Sequence, residues 1–285
     1  MATSAIVLGS EAALALYPIL IKTVPTNLST QLLSRLLVYS GLAYFLATDS
    51  DVLMTWGNLQ GAFRSSLLGL LTLLHIGSSY YAFQQLPAGV SMSLFYTYPI
   101  FNLLGAAFLF GETFSMGQIA LVLLGFAGAV LVAYGNKDPD PQKQKDPYQW
   151  KGLLSGIVAA ITESAIYFAV RTAERPSPFY AILELYPSAL LGLAAFVWYT
   201  KSSIDFRPQV WARMLSFNTL IGFIGYCLRF YAIPRLPTVV FSLLSFVGVI
   251  ASFGWGYLFV KEIPSWFTLA GGGLIAAAAA FSPNK

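Results

Sequence analysis

Charge is what this chain has least of: only 10% of its 285 residues are Asp, Glu, Lys or Arg, against about a quarter in ordinary soluble domains. With 57% of residues hydrophobic, that scarcity excludes a soluble globular fold. A single cysteine, Cys227, excludes an internal disulfide. Together with the single histidine, His75, it leaves too few ligands for a metal or thiol centre, and no cofactor is expected. No Asp falls within the apolar runs, which argues against an intramembrane enzyme. Basic patches interleaved with aromatics are missing, so no nucleic acid is expected as partner. The opening MATSAIVLGSEAALALY lacks a basic leader and carries Glu11 in its apolar run, so it reads as a retained first span.

What is there is a succession of apolar runs, each long enough to cross a hydrocarbon core of about 30 Å as a helix. Ten are read: 4–22, 28–47, 64–83, 88–110, 116–134, 152–171, 179–200, 212–232, 236–260 and 265–282. The longest polar break, GNKDPDPQKQKDPYQWK, falls near the middle of the chain. YAFQQLPAGV at 81–90 returns as YAIPRLPTVV at 231–240, and the offset of 150 also pairs Glu112 with Glu262 and Ser115 with Ser265. Across this stretch roughly one position in four is identical, where about one in ten is expected by chance, which marks an internal repeat. Five spans per copy is odd, so the second copy enters from the opposite side. The expected fold is therefore an all-α integral membrane protein with ten transmembrane helices in two inverted five-helix repeats. Residues 1–135 form the first repeat, 136–151 a polar linker and 152–285 the second. The cell membrane is favoured over an organelle.

A charge at the middle of a span costs about 2.5–3.5 kcal/mol on insertion scales, so each one is a candidate for function. These are Glu11, Arg35, His75, Glu163, Glu184 and Arg229. Helical spacing puts Gln31, Arg35 and Tyr39 on one stripe, Asn218, Tyr226 and Arg229 on another, and Ser91, Tyr98 and Asn102 on a third. Two readings stand for each stripe, a cavity lining and hydrogen bonds between helices. His75 reads as a core histidine ahead of a proton relay, and Arg229 also fits a side chain reaching for the interface. Glu11 and Arg35 are expected as neighbours. Pro18, Pro99 and Pro187 fall inside spans and each removes a backbone hydrogen bond. Small residues at four-residue spacing, such as Gly125 with Ala129 and Gly272 with Ala276, suit close packing of the fifth and tenth spans.

The stretch from Leu86 to Gly135, with its Gly111-Glu112 turn and glycine-rich fifth span, resembles the end of an EamA-type repeat of the drug/metabolite transporter superfamily. Lys261-Glu262 repeats the turn. The resemblance covers essentially the whole chain and implies secondary transport through a central cavity. It implies both termini in the cytoplasm, although the short loops carry more basic residues on the opposite side. Glu11 resembles the first-span glutamate of the small multidrug branch. No nucleotide-sugar signature is present, and the interior lysine or arginine of the phosphate-exchanging branch is missing from spans nine and ten. Glu112 and Glu262 read as structural caps.

The leading expectation is a secondary transporter, not an enzyme. It moves a small polar or amphipathic metabolite, amino-acid-like or drug-like, by alternating access. Glu11 or Glu163 would bind a proton or cation, and Arg35 would anchor a substrate carboxylate. Tyr39, Tyr98, Tyr167 and Tyr226 would offer rings and hydroxyls, and Asn102 and Asn218 hydrogen bonds. His75, Glu184 and Arg229 complete the set. Lipid surrounds the protein, protons are a possible partner, and both monomer and homodimer fit. The alternatives are a facilitative channel and a non-transporting scaffold or receptor.

Overall fold

The computed structural model describes residues 2–86, 88–135, 149–261 and 265–281. These form ten membrane spans and, among the described residues, no strand. The first span is two helices, α1 (Ala2–Leu14) and α2 (Tyr17–Thr23); the second is α3 (Leu28–Leu46). A short helix, α4 (Asp49–Trp56), precedes the third span, α5 (Leu59–Gln85). The fourth is α6 (Ala88–Phe95) with α7 (Tyr98–Phe110), and the fifth α8 (Met116–Gly135). The second half begins with α9 (Gln149–Arg171) and α10 (Pro178–Thr200). The eighth span is α11 (Pro208–Phe217), a π-helical turn at Asn218–Phe223, and α12 (Ile224–Ala232). The ninth is α13 (Thr238–Ser245) and α14 (Val247–Trp255), ending in a second π turn, and α15 (Trp266–Ala280) is the tenth.

Prolines act as the sequence suggests at two places of three. Pro18 and Pro99 stand in the first turn of α2 and α7, where a missing amide costs nothing, and the span breaks just before each. Pro187 does not break α10, which runs through it. The ninth span breaks at Phe246 without a proline. The connection after the second span also differs from expectation. Thr48 and Asp51 close a capping box that starts α4, a helix too short and polar to cross a membrane. The polar linker read at 136–151 lies mostly outside the described residues, as does Glu262, and Gln149–Lys151 already belong to α9.

Helix pairing repeats under exchange of each span with the one five places on. α1 packs on α12 as α5 packs on α9; α8 lies along α15, α3 along α10, and α6 and α7 meet α14 and α13. Local turns repeat as well. Gly111 and Lys261, 150 residues apart, both adopt left-handed conformation (φ 64° and 59°) at the ends of the fourth and ninth spans. Ser115 and Ser265 then accept the amides of Gln118 and Thr268, three residues on. The fifth and tenth spans do pack closely, but at Gly128, where a Cβ would lie 2.7 Å from the Gly271 carbonyl, while Gly272 has nothing nearer than 4.0 Å. Outward-facing Phe45, Phe108, Trp198, Tyr199 and Trp266 are more than three-quarters exposed, as a lipid-facing surface with interfacial aromatics requires. Polar residues on α3, the π turn and α12 turn inward instead: Gln31, Arg35, Asn218 and Arg229 are all buried.

Candidate functional site

Four of the intramembrane ionisable side chains meet at one point. Glu11 lies in the last turn of α1, Arg229 comes from the facing α12, Glu163 from α9 and His75 from the facing α5. All are at most 2% exposed. Arg229 bridges the two acids: its Nη1 pairs with Glu11 Oε1, and its Nη2 lies 2.5 Å from Glu163 Oε1. The second oxygen of Glu163 lies 3.1 Å from His75 Nε2. Tyr96, at the break of the fourth span, donates its hydroxyl to Glu11 Oε2 at 2.9 Å. The Arg229 guanidinium sits 4.9 Å above the ring of Tyr98 and 5.5 Å from that of Phe241. Gly248 makes room for Tyr96, since a Cβ there would fall 1.8 Å from its hydroxyl.

Arg35 is not the neighbour of Glu11 that the sequence suggests. It occupies a separate cage of tyrosines, 2% exposed, with the rings of Tyr226, Tyr17, Tyr39, Tyr80 and Tyr186 at 4.6, 4.8, 5.1, 5.7 and 5.8 Å. Its Nη2 donates to Tyr186 Oη at 2.9 Å, and its Nε has no partner. Among the described residues no carboxylate lies within 4.0 Å of it. The cage is itself braced. Tyr17 donates to Asn218 Oδ1 at 2.9 Å, Asn218 donates to Ser34 at 3.2 Å, and the Tyr17 and Tyr39 hydroxyls meet at 2.8 Å. The π turn at Asn218–Phe223 holds Gly222 against those two hydroxyls, where a Cβ would be 2.2 and 2.6 Å away. π turns often mark functional sites.

Between the two clusters lies a cavity of about 30 Å³, lined by Arg35, Arg229, His75, Tyr17, Tyr96 and Tyr226 together with apolar groups such as Phe83 and Met92. That is about one water's share of liquid volume, too little room for a metabolite in this conformation.

The remaining sequence candidates fall elsewhere. Glu184 is not central: it pairs with Arg64 at 2.9 Å and accepts from Tyr180 at 3.1 Å. Those groups border an outer cavity of about 510 Å³ with Asn58 and Glu174. Tyr167 is fully buried against Phe241 but outside both clusters, accepting from Arg171 at 3.1 Å. Arg171 in turn binds Glu112, which accepts from Thr238 at the start of the ninth span. Glu112 thus ties three segments together. Asn102 reaches Ser242 at 3.4 Å, joining the fourth and ninth spans. Tyr17, Tyr80, Tyr96 and Tyr186 were not picked out from sequence. Their one local signal is position, since Tyr17, Tyr96 and Tyr186 each stand within three residues of an intramembrane proline.

Ten spans, repeated pairing across the halves and buried charges around a small central cavity fit a membrane transport protein better than a bundle held by apolar packing alone. The chain belongs to the EamA-like transporter family, whose profile matches twice, over residues 2–134 and 150–282. It is similar to the protein named Pseudopaline exporter CntI from two strains of Pseudomonas aeruginosa, UCBPP-PA14 and PAO1. Each is 23% identical over 237 residues, 83% of this chain and 79% of the relative. A solved crystal structure has the same fold, with a TM-score of 0.71 at 19% identity, covering 99% of this chain and 98% of its own.

Proposed function

We propose that this protein is a secondary transporter that exports a small polar or amphipathic metabolite bearing a carboxylate, by alternating access of the central cavity. Arg35 carries this reading: a guanidinium 2% exposed, bordering the cavity and caged by tyrosines instead of an acid. A buried ion costs several kcal/mol unless compensated. Ring faces return part of that cost, and a substrate carboxylate, gripped bidentately, returns the rest. The export direction follows the relatives' name. Residues 1–135 and 152–285, joined by 136–151, are the two inverted halves whose exchange of conformation would open the cavity to either side. Both halves lie in one chain, so a monomer suffices. No catalytic step is assigned.

The test is release of a pooled carboxylate library from proteoliposomes, read by mass spectrometry. Saturable, selective release with counterflow is expected, and Arg35→Gln should lower the transport efficiency by about 30-fold or more, the loss of roughly 2 kcal/mol of charge-assisted binding. Wild-type transport by a folded Arg35→Gln variant would remove Arg35 from the site. Flux that does not saturate would point to a channel, and no flux at all to a scaffold.

A further inference from the structure

We propose that the site binds one proton together with one substrate carboxylate, the proton lying between His75 and Glu163. This rests on the carboxylate reading of Arg35. It starts from the other nitrogen of His75. Nδ1 lies 3.1 Å from the Ala159 carbonyl and 3.3 Å from the Thr162 hydroxyl. A carbonyl oxygen only accepts, and Thr162 already donates to Val158 at 2.7 Å, so Nδ1 carries the hydrogen. Nε2 then carries a lone pair and lies 3.1 Å from Glu163 Oε2, a buried oxygen with no hydrogen-bond partner. Two unprotonated acceptors that close, out of water, repel. A proton shared by the pair relieves this, written either as imidazolium with carboxylate or as imidazole with carboxylic acid.

Charge counting gives the consequence. The His75–Glu163 pair with its proton is neutral in either form. Arg229 and Glu11 cancel, Tyr96, Tyr98, Tyr226 and Tyr186 are uncharged phenols, and Arg35 remains. The centre therefore holds one positive charge when the proton is in place and none when it leaves. A monoanion is neutralised in the first state and adds a negative charge to the second, so proton and anion favour each other's binding. Arg229 and Arg35 face the pair from α12 and α3, and Glu11 from α1; each is held in a fixed partner set.

His75 is the only histidine, so imidazole ¹⁵N spectra of the full chain in lipid nanodiscs report it without assignment. Hydrogen on Nδ1 and a strongly hydrogen-bonded Nε2 are expected at neutral pH. The coupling itself is read with benzoate as probe, in weak buffer with a pH indicator. Binding should take up protons. Benzoate affinity should fall by up to about tenfold per pH unit on the alkaline side of the pair's titration, the slope for one linked proton. Glu163→Gln should bind benzoate with no uptake and a flat pH profile; His75→Gln serves the same purpose if the first variant does not fold. Benzoate binding by wild type with no uptake, or with release, overturns the proposal and leaves the Arg35 site standing. Benzoate binding that Arg35→Gln leaves unchanged, or no binding at all, overturns the carboxylate reading and the proposal with it. A free Nδ1 lone pair overturns the proton assignment independently of any ligand.

Discussion

Arg229→Gln is the change with the largest expected cost. Arg229 is the sole cation paired with Glu11 among the described residues, and it shares Glu163 with His75. Removing it leaves two acids in a site that excludes water, and breaking a buried pair in this way costs about 3–5 kcal/mol. Glu11→Gln is milder. Arg229 keeps Glu163, the amide oxygen still accepts from Tyr96, and the cost is about 1–2 kcal/mol. The two changes together then leave only Glu163, held by His75. The double variant should therefore be more stable than Arg229→Gln alone, a coupling of about 1–3 kcal/mol. Unfolding in detergent can be followed with a thiol-reactive dye, because Cys227 is the only thiol and lies two residues from Arg229 on α12. Additive costs, or a double variant less stable than Arg229→Gln, would refute the bridge.

Gly248→Ala should destabilise the protein by about 1–3 kcal/mol, the range for overpacking, and weaken substrate binding by displacing Tyr96 from Glu11. Gly254→Ala, with nothing within 4 Å of the added carbon, is the control, and the same unfolding and binding assays read both. At the interface, burial opposes ionisation of Asp51, but the Thr48 amide and hydroxyl and the Arg175 guanidinium outweigh it and lower its pKa below 3.8. A depressed folded-state pKa gives stability that is present above the unfolded value and lost as pH falls through the folded one. Asp51→Asn should thus cost about 1 kcal/mol at neutral pH, the usual worth of such a cap, with the gap to wild type closing only in strong acid. Thermal unfolding across pH checks it.

The fold was legible because bilayer thickness and repeat spacing act on the chain locally. Span lengths, the Gly111/Lys261 turns and the serine caps at 115 and 265 can all be read from neighbouring residues. The site was legible only residue by residue. Glu11, Arg35, His75, Glu163 and Arg229 announce themselves by the cost of charge in a membrane, but their partners are set by which helices face each other. Glu11 and Arg35 lie on adjacent spans and were expected together. The pairing of the first span with the eighth, and of the third with the sixth, sent Glu11 to Arg229 and Glu163 to His75 instead. Sequence proximity gave no account of that. Nor could it separate Glu184, whose position near the start of α10 puts it beside Arg64 and the outer cavity. The tyrosine cage was illegible for another reason: Tyr17, Tyr80 and Tyr186 come from three different spans, and an aromatic residue in an apolar run is ordinary there.

The repeat also bears on the proposed proton site. Under exchange of the halves, Glu11 and Glu163 occupy corresponding spans, and so do their basic partners, Arg229 on the eighth and His75 on the third. The acids are alike and the bases are not. Arginine holds its charge at any physiological pH, so the Glu11 side of the cluster is a fixed ion pair. Histidine exists both neutral and charged, so under the proposed assignment the Glu163 side is the half that holds the exchangeable proton. Arg229 touches both acids, and a change of charge at Glu163 therefore alters how tightly it holds Glu11. Because Glu11 lies in the last turn before the break in the first span and Tyr96 at the break in the fourth, that change would act next to the two places where the helices are already interrupted. Protonation on one side of the pseudo-axis would thus bias the break points on the other, which is what coupling a proton to a conformational exchange requires.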